Sequence, residues 1–227
     1  MKEVAMSSID RPVRHAVILA HPDAHSFNAA IAQTYCDTVR DQGQEFVLRD
    51  LYRMGFDPVL REEEQPGAPG FHVSADVRAE LEALEGSDIF TFIYPIWFGM
   101  PPAILKGYID RVVGSGVTVS QIRKRHGQGL LSAAHLLCIT TSGAPEAWLN
   151  EQGQVQALRE ISTRYLFRAF AMKSARTMHI GGIVEGLGKL FADRHLNDVR
   201  EEARAVCARL YAERRGMAPL QTIGDGS

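Results

Sequence analysis

Phe92-Ile93-Tyr94-Pro95-Ile96-Trp97-Phe98-Gly99-Met100-Pro101-Pro102-Ala103-Ile104-Leu105-Lys106-Gly107-Tyr108-Ile109-Asp110-Arg111 decides how the rest of the chain is read. It predicts a buried strand that feeds an aromatic loop and then a helix. Pro95 and Gly99 punctuate the loop, and Pro101 and Pro102 pre-set φ for a helix start. In open α/β sheets, ligands bind in loops beyond the C-terminal ends of parallel strands. Trp97 in such a loop offers a flat face, which suits a flat aromatic ligand.

The same rhythm extends in both directions. Residues 15–20 form an apolar run without alternation, the mark of a strand buried on both faces. Residues 45–52, 88–94, 134–140 and 174–180 continue the strand series. Helices are predicted over 27–42, with Ser26 as cap, and over 73–84, 101–113, 149–171 and 191–214. Residues 57–72 hold prolines, glycines and the acidic run Glu62-Glu63-Glu64; they are expected as a surface excursion with that run solvated. Residues 114–132 are expected as a polar loop. Strands alternating with helices imply βαβ units and a parallel sheet covered on both faces. Five strands suit the doubly wound order 2-1-3-4-5. One domain over 1–227 is expected, with flexible ends over 1–13 and 217–227.

Composition removes several functions. The chain has 227 residues, 45% hydrophobic and 23% charged, with net charge −2. That balance supports one sizeable core and argues against a nucleic-acid or membrane-surface binder. Apolar runs are strand-sized, so no membrane insertion is expected. The first fourteen residues carry Lys2, Glu3, Asp10, Arg11 and Arg14 and do not read as a secretory signal. Cys36, Cys138 and Cys207 are scattered and odd in number, which points to a reducing, cytoplasmic setting and to buried small hydrophobes. No Cys/His cluster has metal-ligand spacing, so no metal is expected.

In the order 2-1-3-4-5 the ends of strands 1, 3 and 4 lie side by side. Their loops are residues 21–28, containing His21, Ser26, Phe27 and Asn28; then Pro95-Ile96-Trp97-Phe98-Gly99; then Thr140-Thr141-Ser142-Gly143-Ala144. The first places polar groups before a helix N-terminus, where free N–H groups and the helix dipole favour an anion such as phosphate. The second supplies an aromatic wall. The third is small and hydroxylated, so its backbone can approach a ligand edge. Neither G-x-G-x-x-G nor G-x-x-x-x-G-K-[ST] is present, which favours a flavin over a nicotinamide or nucleoside triphosphate as resident group.

These three motifs, together with Ile104-Leu105-Lys106-Gly107-Tyr108-Ile109-Asp110-Arg111, resemble the flavodoxin-like NAD(P)H:quinone oxidoreductase family over most of the chain. The resemblance implies a flavodoxin-like fold, bound FAD or FMN, a homodimer, and two-electron hydride transfer from NAD(P)H through the flavin to a quinone or similar acceptor. By position, it assigns His21, Ser26, Phe27 and Asn28 to the flavin phosphates. Pro95, Ile96, Trp97 and Phe98 would pack on the isoalloxazine and bond it through their backbone. Thr140, Thr141, Ser142 and Gly143 would meet its pyrimidine edge. Arg200 would lie near the adenine or pyrophosphate of FAD. Gly107 and Asp110-Arg111 read as packing residues.

The chain also departs from that family. The Tyr and His of the family's proton relay are missing: Trp148 stands near the Tyr position, and the place of the His falls close to Val155. The family's Phe-Ala-Tyr cluster is replaced by residues 114–119 and the basic run Arg123-Lys124-Arg125-His126. Trp148 and His126 are therefore candidate acceptor-pocket residues, with no catalytic side chain named. The basic run reads as solvated surface or as a reader of the 2′-phosphate of NADPH or of an acidic acceptor. His179 reads as a structural histidine. Rival readings are an FMN-bound azo, nitro or flavin reductase, a non-catalytic flavin-binding subunit of a transporter, and a flavodoxin-type electron carrier.

Overall fold

A computed structural model of the protein describes residues 11–124 and 129–217. The chain runs β1 (Arg14–Leu19), α1 (Phe27–Asp41), β2 (Glu45–Asp50), α2 (Ala75–Leu84), β3 (Ile89–Pro95), α3 (Ala103–Tyr108), α4 (Val119–Lys124), β4 (His135–Thr141), α5 (Glu146–Glu151), α6 (Gln154–Leu158), α7 (Tyr165–Ala169), β5 (Ser174–Ile180) and α8 (Lys189–Arg214). The strands form one sheet in the order β2-β1-β3-β4-β5, and each adjacent pair is parallel. This is the flavodoxin-like arrangement that the alternation of strands and helices predicts.

β3 and β4 are buried along their whole length. Because strand side chains alternate between faces, each strand feeds two apolar layers. Ile18, Phe90, Phe92, Leu136 and Cys138 join Leu84, Leu105, Tyr108 and Leu166 on one side. Val17, Leu19, Ile93, Leu137 and Ile139 join Ile31, Tyr35, Val199 and Val206 on the other. The three cysteines are buried thiols. Burial pushes Cys36 and Cys138 up to about 12 and Cys207 to about 11, so none is a thiolate nucleophile.

Three expectations change. The predicted helix over 149–171 is broken into α5, α6 and α7. Gly153 at φ +69 interrupts it, and residues 159–164 form a wider, π-type turn. The predicted loop 114–132 contains α4, which buries none of its side chains. Glu64 is not solvated; it is 6% exposed and meets Arg111. The buried Arg111 guanidinium donates to Glu64 Oε2 (2.9 Å) and Oε1 (2.6 Å), to Asp76 Oδ2 (2.8 Å) and to the Asp57 carbonyl (2.6 Å). A buried guanidinium requires such partners; the excursion supplies Asp57 and Glu64, and α2 supplies Asp76. Arg111 lies in a second π-type turn, over 109–113, which continues α3 and in which Gly114 N–H bonds the Ile109 carbonyl at 2.8 Å. Gly107 faces Pro58 so closely that a Cβ would sit 2.2 Å from the Pro58 carbonyl oxygen.

Of the predicted flexible ends, residues 1–10 and 218–227 lie outside the described residues. Val13 is buried, and Arg11 donates to the Gly86 carbonyl at 2.6 Å. Among the described residues, no helix is long and apolar enough to cross a membrane.

Candidate functional site

The loops after β1, β3 and β4 converge, and two contacts fix their meeting. The His21 and Trp97 rings lie edge to face with centroids 6.0 Å apart. Asn28 Nδ2 donates to Thr141 Oγ1 at 2.9 Å across 113 residues of sequence.

In the first loop, Asp23 folds the chain back on itself. His25 N–H donates to Asp23 Oδ1 at 2.8 Å, and Asp23 N–H donates to His21 Nδ1 at 3.1 Å. Ser26 caps α1, its Oγ accepting from Ala29 N–H at 3.2 Å. Among the described residues, the N–H groups of Phe27 and Asn28 find no partner, so the first turn of α1 presents two free donors and the positive end of a 15-residue helix. Arg53, which the sequence reading missed, donates from its guanidinium to the Pro22 carbonyl at 2.5 Å and adds a cation beside this loop.

The second loop is a tight reversal. Trp97 and Met100 exchange backbone hydrogen bonds of 2.9 and 3.0 Å around Phe98 (φ +50) and Gly99 (φ +77). Two consecutive positive φ values define a primed turn, which Gly99 tolerates and a bulky Phe98 does not favour. The turn holds the Phe98 side chain fully in solvent and leaves Trp97 39% exposed. Ile96 N–H is taken by the Thr141 carbonyl at 2.7 Å, so the second and third loops are tied through the backbone. Ile96 and Trp97 thus have no N–H left for a ligand, and the Trp97 carbonyl is taken by Met100; the Ile96 carbonyl and the Trp97 ring remain.

The third loop is held from several sides. Thr141 pairs with Asn28; Ser142 N–H bonds the Ile180 carbonyl (3.1 Å), and Ile183 N–H bonds the Ser142 carbonyl (2.9 Å). Thr140 Oγ1 and Ser142 Oγ lie 2.9 and 3.0 Å from Nδ1 and Nε2 of His179 on β5. Burial lowers the proton affinity of His179. The hydroxyls of this loop bond protein, while among the described residues the N–H groups of Gly143 and Ala144 find no partner.

Trp148 is exposed on α5. Arg200 on α8 donates to Asn197 at 3.0 Å. His126 and Arg125 lie outside the described residues, and Arg123 and Lys124 are exposed on α4. Beside the second loop, an apolar groove of about 560 Å3 runs between α3 and α7, lined by Tyr94, Met100, Leu105, Ile109, Ile161 and Tyr165. Both π-type turns border it. No group of three or more metal-ligating side chains is gathered among the described residues.

Residues 14–206 match the family model described as flavodoxin-like fold. A Haemophilus influenzae protein named as an uncharacterized NAD(P)H oxidoreductase is 30% identical over 203 residues, covering 89% of this chain and 94% of that protein. The rat NAD(P)H dehydrogenase [quinone] 1 is 32% identical over 149 residues, covering 58% of this chain and 54% of that one, so the match spans about half of the rat protein. The solved structure of an NAD(P)H:quinone oxidoreductase from Methanothermobacter marburgensis superposes with a TM-score of 0.71 at 24% identity, over 86% of this chain and 98% of that one.

Proposed function

Because the chain belongs to the flavodoxin-like family, we propose that it is a flavin-dependent NAD(P)H oxidoreductase that reduces quinones or similar acceptors. The observation that carries this reading is the convergence of three complementary surfaces at the ends of β1, β3 and β4, pinned by the His21–Trp97 and Asn28–Thr141 contacts. The donors fit a flavin nucleotide. Phe27 and Asn28 N–H groups, the helix dipole and Arg53 would hold a phosphate. The Trp97 face would cover the ring system, and the Gly143 and Ala144 N–H groups would meet its pyrimidine edge. When bound, the flavin supplies the hydride chemistry. The protein's part is to hold the ring, exclude water from one face and place donors where negative charge grows. The relatives named as NAD(P)H oxidoreductase and quinone dehydrogenase support this reaction class.

FAD is the proposed form. Phe27 at the start of α1 and Leu196 on α8 pack against one apolar layer, which sets Arg200 on a helix adjoining the phosphate loop. Mass analysis of released flavin decides between FAD and FMN. A homodimer is also proposed: exposed Phe98, Met100, Ile161 and Tyr165 beside the groove are apolar surface that a second copy would cover. Light scattering of the purified protein tests it, and a monomer across micromolar concentrations refutes it.

The reaction is tested by loading the protein with flavin and adding NAD(P)H without oxygen. Rapid bleaching of the yellow colour, restored by a quinone, is expected; a protein that takes up neither FAD nor FMN refutes the reading. Trp97→Ala is expected to weaken flavin retention about tenfold, the scale of one lost aromatic stack.

A further inference from the structure

His179 does more than fill its place on β5. Ser142 Oγ has a single proton, which it donates to the Ala144 carbonyl at 2.8 Å. It must therefore accept from His179, and the imidazole proton sits on Nε2. Nδ1 is then an acceptor, and the Thr140 hydroxyl donates to it. The result is a one-way chain: Thr140 O–H to His179 Nδ1, His179 Nε2–H to Ser142 Oγ, and Ser142 O–H to Ala144 C=O. Thr140 and Ser142 are 4% and 6% exposed, so the two hydroxyls of the chain are shielded from water, while His179 between them is half-buried. Such chains polarise cooperatively. This one ends on the Ala144 carbonyl, which also accepts from Gly182 N–H at 3.0 Å and lies in the peptide just after the free N–H donors of Gly143 and Ala144.

We infer that His179 is a positioning residue that, through Ser142, sets the orientation of the Gly143 and Ala144 N–H donors toward the pyrimidine edge of a bound flavin. The inference rests on the flavin reading above. In a bound flavin those donors would meet the edge that gains negative charge on reduction, so their alignment would favour the reduced ring more than the oxidised one.

The experiment measures dissociation constants of oxidised and reduced flavin, and the two-electron potential, for wild type and three variants. His179→Ala is expected to weaken reduced-flavin binding about tenfold more than oxidised-flavin binding, which is about 30 mV more negative for a two-electron couple. His179→Gln, whose amide N–H can replace Nε2–H toward Ser142, should restore most of the potential. Ser142→Ala should reproduce the His179→Ala shift if that variant fails to fold. A folded His179→Ala or Ser142→Ala protein with both constants weakened equally, or with an unchanged potential, overturns the inference. So does a Gln variant no better than Ala. A wild-type protein that binds no flavin is a separate outcome and overturns the underlying reading.

Discussion

At the scale of single residues, Asn28 shows how a site residue earns its place by holding a neighbouring loop. Its side chain is 3% exposed and exchanges hydrogen bonds of 2.9 and 3.3 Å with Thr141, itself 2% exposed. Removing one partner strands the other in a dry place, a cost of about 1–3 kcal/mol. Asn28→Ala is therefore expected to lower the unfolding free energy by that amount, read as a shift in urea midpoint at constant slope. Its flavin affinity should fall as well, since the loops after β1 and β4 lose their tie. The double variant Asn28→Ala/Thr141→Val, which removes both partners, should recover part of the stability; no recovery would show that the pair is not what the single variant breaks. The sequence placed Asn28 and Thr141 in adjoining loops, but nothing in it could show that they spend their polar groups on each other. The pairing depends on the lateral separation of β1 and β4, which only the assembled sheet defines. Arg53 escaped notice for the same reason, since its link to Pro22 needs β2 beside β1.

Among the elements, α3 with its π-type extension is the one whose setting decides the second loop. A helix over 101–113 was legible in the sequence, its start set by Pro101 and Pro102. Its clamps were not, because Glu64 and Arg111 are 47 residues apart and the acidic run containing Glu64 looks like ordinary surface. The Arg111 guanidinium beside Glu64 holds that carboxyl at about 2, against a usual 4.5. A depressed carboxylate stabilises the fold fully above its unfolded value and loses that contribution as pH falls toward its folded value. The stability difference between wild type and Glu64→Gln should accordingly be large at neutral pH and shrink between about 4.5 and about 2. Arg111→Ala leaves Glu64 buried without its cation and is expected to cost about 3–5 kcal/mol in denaturant unfolding. Gly107→Ala should be worse tolerated than an alanine at the exposed Lys106, because its methyl would overlap the Pro58 backbone. Equal melting temperatures for those two variants would count against the close approach of α3 to residues 57–58.

Across the whole molecule the sheet has two unlike ends. The C-terminal ends of the strands carry loops with unspent donors. The opposite end is closed by satisfied polar groups: Asp88 with Arg14 N–H (2.8 Å) and Arg214, and His135 between Ser174 and Glu213, both at 2.8 Å. The parallel order and the placing of the candidate site at one end followed from the alternation of strands and helices, while the closure of the other end joins residues as far as 203 positions apart, Arg214 and the Arg11 carbonyl, and left no local trace. His15 makes this closure pH-dependent. It is buried at the start of β1, with Nδ1 at 3.0 Å from the Tyr35 hydroxyl and Nε2 at 2.8 Å from Gln44 Oε1. Desolvation lowers it from 6.5 to about 4. Below 6.5 the unfolded chain takes up a proton that the folded one refuses. Stability therefore falls with falling pH across that window, by up to about 1.4 kcal/mol per unit and about 3 kcal/mol in all. His135 is also pushed down by burial and adds to the slope, opposed by Glu213. In His15→Gln the slope of unfolding free energy between pH 6.5 and 4 should drop to the remainder due to His135 and the carboxylates. Flavin affinity at neutral pH should stay at the wild-type value, because His15 lies at the far end of the sheet from the three loops. A variant that keeps the full slope would mean that His15 is not the group whose protonation opens this end; one that loses flavin at neutral pH would mean that the two ends of the sheet are coupled.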